Sequence, residues 1–144
     1  MIEQLVDILP PVFVFTTVLY LWMAVRVSRA SIESANNTVS YFLFLIGLMT
    51  AGSAFAYGAT DAYMYGIGRT LTFFSSGFVP VALYTIYREF TVGRPHMFVI
   101  AALSIVPVIS TGLAMTNELH HLIWSVVEIN GEIRFTEPDK HFWF

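Results

Sequence analysis

Four stretches of this sequence run for about twenty residues without a formal charge, and that limits the fold more than any other feature. They are residues 8–25, bounded by Asp7 and Arg26; 39–59, between Glu33 and Asp61; 70–87, between Arg69 and Arg88; and 95–117, between Arg94 and Glu118. A hydrocarbon core about 30 Å thick takes roughly 20 apolar residues per helical span. The expected fold class is all-α: a polytopic membrane helical bundle with four transmembrane helices, at about residues 8–28, 39–60, 66–87 and 96–117, in one membrane domain over 1–144. Composition agrees, with 12% of the 144 residues charged, against about 25% in soluble domains. Four spans leave no room for a soluble catalytic domain, so the chain is expected to be no enzyme and to hold no catalytic residue. A net charge of −3 without a basic run excludes a nucleic-acid partner. The absence of cysteine removes disulfides, thiolate metal sites and a Cys nucleophile.

The spans differ in character. Pro10 and Pro11 open the first, where first-turn N–H groups have no helical partner to lose. The amino end carries Glu3 and Asp7 and no basic residue, which reads as a retained span rather than a cleaved leader. The second is rich in small residues. Gly47/Ala51 and Gly52/Ala56 are spaced four apart, as required for close approach of two helix backbones, so this span is expected to sit centrally. Pro80 and Pro107 lie inside the third and fourth spans and are expected to kink them, with Ser104 and Thr111 near enough to serve freed carbonyls. A short connection over residues 61–65 makes spans two and three an antiparallel hairpin.

Charge sets the orientation. Arg26, Arg29, Arg88 and Arg94 fall in the loops on one side, while Glu3, Asp7, Asp61, Glu118, Glu128, Glu132, Glu137 and Asp139 fall on the other. By the positive-inside rule the arginine loops are cytoplasmic and both chain ends are outside, in a bacterial inner membrane. Arg69 runs against this pattern and is expected to snorkel to the outer interface or to pair with Asp61. An even number of spans returns the chain to the outside, so its carboxyl end presents no output to the cytoplasm.

Beyond Trp124 the pattern alternates. Val127, Ile129, Ile133 and Phe135 interleave with Glu128, Glu132 and Arg134 around Asn130-Gly131, a strong signal for a small external β-hairpin over about 125–136. His141-Phe142-Trp143-Phe144 then forms an aromatic cluster of interfacial type.

The concentrated polar chemistry is Thr116-Asn117-Glu118-Leu119-His120-His121-Leu122-Ile123-Trp124. On a continuing helix Asn117, His121 and Trp124 share one face at i, i+4, i+7, with His120 beside them and Glu118 one turn from His121. Two readings are open: a pH-responsive or ligand-contacting cluster, its ligand unknown, or a cap that ends span four and anchors the hairpin. Metal and haem ligation do not fit. Adjacent His120 and His121 diverge by about 100° on a helix, and His96 lies about 36 Å from His120 along one. His96 reads as a solvated residue at the inner end of span four. No Gly-x-Ser-x-Gly elbow, phosphate loop or HExxH occurs, and no span holds a carboxylate for a proton path. No cofactor is expected.

The segment TNELHHLIW following Ile105-Val106-Pro107, with Pro10, the small residues of span two and Val79-Pro80, resembles the N-terminal seven-helix membrane region of bacterial sensor histidine kinases. That region is also found fused to diguanylate cyclases and other outputs. The resemblance covers nearly the whole chain. It implies a non-catalytic input module of two-component signal transduction, its amino end outside, with the outer polar cluster facing a ligand. Of the cluster, Asn117, His120, His121 and Trp124 carry over. The sequence departs from the pattern by stopping after four spans and the hairpin, without helices five to seven or a kinase. His120 and His121, outside the membrane, cannot be the phospho-acceptor. The leading reading is therefore an input module working through helix packing; the alternative is a structural accessory subunit of a larger integral membrane complex. Its partners in either case are the bilayer and other transmembrane helices, whether downstream helices, a second copy or a larger complex.

Overall fold

A computed structural model describes residues 2–29, 34–120, 123, 125–129 and 132–136. Helices α1 (Ile2–Arg29), α2 (Ser34–Tyr57), α3 (Ala62–Thr91) and α4 (Met97–Met115) each hold a segment long and apolar enough to cross a membrane. A single turn, α5 (Asn117–His120), comes next. Strands β1 (Ser125–Ile129) and β2 (Glu132–Thr136) then pair antiparallel, Ser125 opposite Thr136 and Ile129 opposite Glu132. The Asn130-Gly131 turn and the aromatic carboxyl end lie outside the described residues.

Many of the hydroxyls inside these spans bond back to a carbonyl of their own helix. Thr16 donates to the Val12 carbonyl at 2.6 Å, Thr72 to Gly68 at 2.9 Å and Thr85 to Val81 at 2.9 Å. Bonding back four residues is how Ser and Thr cross hydrocarbon without an unpaired donor.

Each helix packs antiparallel on the next: α1 on α2, α2 on α3, α3 on α4. This is an open row, since α1 and α4 share no substantial contact. The α1–α2 seam is fixed by Phe13 stacked on Tyr57, by a 2.9 Å hydrogen bond between the Thr17 and Thr50 hydroxyls, and by Ser40 donating to the Ala24 carbonyl at 2.7 Å. Gly47 faces Leu21 there, and a Cβ at Gly47 would lie 3.0 Å from the Leu21 Cδ2.

The α2–α3 seam is a backbone contact. A Cβ on Gly52 would stand 2.7 Å from the Gly68 carbonyl oxygen, and one on Gly68 would stand 2.5 Å from the Ala56 nitrogen. Gly52 and Ala56 thus meet a second small pair, Gly68 and Thr72, of the kind that draws membrane helices together. At the α3–α4 seam Gly77 faces the buried Pro107 ring, with 3.2 Å between a Cβ there and the Pro107 Cβ.

Several sequence expectations are corrected by the fold. Pro10 and Pro11 lie inside α1 rather than at its start, because the helix reaches back to Ile2. The N–H groups they lack would serve the carbonyls of residues 6 and 7, just ahead of the apolar segment Ile8–Arg29, where water can replace them. The α2–α3 connection falls earlier than expected, between Tyr57 and Ala62, because Asp61 is the N-cap of α3: its carboxylate accepts from the Met64 N–H at 2.8 Å. Asp61 therefore caps a helix instead of pairing with Arg69. Pro80 and Pro107 lie inside α3 and α4, as expected, and neither helix ends there. The hydroxyls expected to help at Pro107 do not: Ser104 donates to Ile100, and the buried Thr111 hydroxyl has no hydrogen-bond partner. After α3, Gly93 takes a φ of +107°, a conformation L residues rarely adopt, and Pro95 lies two residues on, so the chain turns sharply into α4.

Candidate functional site

Asn117 is the polar residue that the fold buries most deeply at the carboxyl end of α4, with 2% of its surface exposed. The helix stops just before it. The Thr116 hydroxyl donates to the Gly112 carbonyl at 2.9 Å, the Thr116 N–H reaches the same oxygen at 3.1 Å, and α5 supplies one separate turn. The Asn117 Oδ1 then accepts the backbone N–H of Ile123, six positions along the chain, at 2.9 Å. A buried N–H without such an acceptor would cost about 1–3 kcal/mol.

Of the face expected through residues 117, 121 and 124, only Asn117 lies among the described residues, at the start of the single turn α5. The helix breaks at Thr116, and β1 begins at Ser125, one residue past Trp124. Thr116 is the C-cap of α4, bonded back to Gly112, and the Asn117 Oδ1 serves a backbone N–H beyond the turn. His121 and Trp124 lie outside the described residues, as do the side chains of Glu118 and His120.

Facing this loop is a part of α3 that the sequence flagged only through Arg69. Tyr65 and Ala114 form the buried core between α3 and α4, with Phe73, Ala56, Ala59 and Ile123 packed against it. Tyr65, Arg69 and Phe73 succeed one another at four-residue spacing on one stripe of α3. The Arg69 guanidinium lies 5.9 Å from the Tyr65 ring centre and 5.5 Å from that of Phe73. Two ring faces explain how a cation sits two turns inside a membrane-length helix. Ile123 joins the halves, bonded to Asn117 and packed on the Tyr65–Ala114 core.

Four membrane-length helices with a buried polar residue at the end of the fourth match the pattern described from the sequence, and a comparison with protein families decides between lookalikes. Residues 11–144 match the family described as the N-terminal 7TM region of histidine kinase. The chain belongs to that family. As a histidine kinase 7TM region it is a membrane protein of sensory type, and the family is an input region rather than the catalytic part of a kinase. Searches of curated proteins and of solved structures returned no match.

In this 7TM region the small residues named from the sequence, Gly47, Ala51, Gly52 and Ala56, all lie on α2. Gly47 meets α1, while Gly52 and Ala56 meet α3. Gly68 and Gly77, the other halves of the two α3 contacts, went unnoticed in the sequence. Gly68 carried a usable signal, since Gly68 and Thr72 are small residues four apart. Among the described residues no group of His, Asp and Glu is placed to hold a metal.

Proposed function

We propose that this chain receives a stimulus at the end of α4 near Asn117 and passes it on as a change in how α4 packs on α3. The observation that carries this reading is the Asn117–Ile123 hydrogen bond, which ties the loop after α4 to the Tyr65–Ala114 core. A ligand or proton acting on Asn117, Glu118, His120, His121 or Trp124 acts on the segment that holds α4 in place. Such a signal requires unequal interaction with two arrangements of the helices. Membership of the histidine kinase family supports the sensory role.

In the proposed orientation the Asn117 end is periplasmic and the Arg26, Arg29, Arg88 and Arg94 end is cytoplasmic in a bacterial inner membrane, on the positive-inside rule. The chain has no cysteine, so single thiols report this directly. Ser28→Cys is expected to react only after the cytoplasmic face is opened, and Tyr63→Cys from outside; the reverse pattern overturns the orientation.

The same property allows spin labels at Leu83 of α3 and Val106 of α4, both exposed, to measure the α3–α4 distance in lipid nanodiscs. Asn117→Ala and His121→Ala are expected to insert normally and to shift that distribution. An unchanged distribution, or loss of accumulation in the membrane, makes the residue a cap and overturns the sensing role. The open row favours a second reading, a structural accessory subunit whose α1 and α4 flanks meet other helices; stoichiometric co-purification with a larger membrane complex is its test.

A further inference from the structure

We infer that the groove between α2 and α4 is a binding site for a phospholipid with a primary ammonium in its headgroup, of the phosphatidylethanolamine type. Because both helices pack on α3, a groove of about 350 Å³ remains between them, with Phe78, Val81, Ala82 and Thr85 of α3, Tyr41 of α2 and Ser104 of α4 among its lining. That volume lies within the roughly 300–1,000 Å³ of small-molecule sites. Every residue of the lining falls within the apolar spans of α2, α3 and α4, so the groove runs at membrane depth and suits an acyl chain.

Two charged residues farther along the same stripe of α3 specify the headgroup. Positions 78, 81, 82 and 85 continue at i+3 and i+4 from Thr85 into Arg88 and Glu89, one turn nearer the helix end at Thr91. These two opposite charges do not bond each other. Arg88 Nε and Glu89 Oε2 are shielded from solvent and have no hydrogen-bond partner, while both residues are only half-buried, so part of each charged group stays reachable. A single ligand that serves both groups must present an acceptor and a donor together. A phosphate joined to a primary ammonium does so: the phosphate accepts from Arg88 and the ammonium donates to Glu89. Phosphatidylglycerol can bring Glu89 only neutral hydroxyl donors, weaker than an ammonium, and the quaternary ammonium of phosphatidylcholine has no N–H to donate.

The test is native mass spectrometry of the full chain released from nanodiscs holding equal amounts of the three lipids. Phosphatidylethanolamine is expected to be retained about tenfold over phosphatidylcholine, equivalent to roughly 1.4 kcal/mol or one charge-assisted hydrogen bond. Glu89→Gln, which keeps the shape, is expected to reduce its retention to the phosphatidylglycerol level. Ser104→Leu, which fills the groove from α4, is expected to lower retention of all three. Equal retention of the three lipids, a preference for phosphatidylglycerol, or indifference to both substitutions overturns the proposal. Since the readout is bound lipid, it stands apart from any sensing by Asn117.

Discussion

The two seams that α3 makes with its neighbours use the same device, a glycine turned toward the next helix, and hold with different firmness. At the α2 seam Gly68 and Gly52 face backbone atoms, the Ala56 nitrogen and the Gly68 carbonyl, which cannot rotate away. At the α4 seam Gly77 faces a proline ring on a helix that packs on α3 alone among its helical neighbours, save for the single turn of α5. Twice as much of the α2 span as of the α4 span is buried, 22% against 11%. The contrast teaches where movement is cheap. With α2 and α3 interlocked, α4 is the neighbour of α3 whose packing can change at less cost, and Asn117 stands at its end.

The sharpest way to break this comparison is to add one methyl group to each seam. Gly68→Ala would place a Cβ 2.5 Å from the Ala56 nitrogen, so the helices must separate, at about 3 kcal/mol or more. A clear fall in melting temperature in detergent is expected, with reduced accumulation in the membrane. Gly77→Ala meets Pro107 at 3.2 Å; α4 has room to yield by a few tenths of an ångström, and alanine's better helix propensity offsets part of the strain. Its stability is expected within about 1 kcal/mol of the parent. Equal losses for the two substitutions would show that α4 is held as firmly as α2.

Gly112→Ala is the smallest change and has the opposite sign. Among the described residues nothing lies within 4 Å of a Cβ at that position, so the substitution is expected to stabilise α4 by up to about 1 kcal/mol through helix propensity alone. A destabilisation would mean that the end of α4 is packed against something further, and would weaken the contrast between the seams.

Much of the site was unreadable in the sequence for one physical reason. Arg69 could be seen as an anomaly, but its ring partners could not, because Tyr65 and Phe73 look like any aromatic residues of an apolar span. Asn117 was marked out by its polarity. Ligand contact and cap were both open for it from the sequence, because the choice turns on tertiary partners such as the Ile123 N–H that its Oδ1 accepts.

The sequence by itself determined that the chain forms membrane-length helices, and roughly where they run. In hydrocarbon each backbone N–H and C=O must be satisfied within the segment, so a long apolar run has few alternatives to a helix. It also marked Gly52 and Ala56, because small residues four apart are the main packing signal that survives when lipid and helix neighbours are equally apolar. Only the tertiary structure decided that Gly68 and Gly77 are their counterparts on α3, that the helices form an open row, and that a groove lined by Phe78, Val81, Ala82 and Thr85 of α3 remains between α2 and α4. A soluble helix announces its buried face by contrast with its wet one; these helices are apolar all round, and the facing residues are chosen by shape.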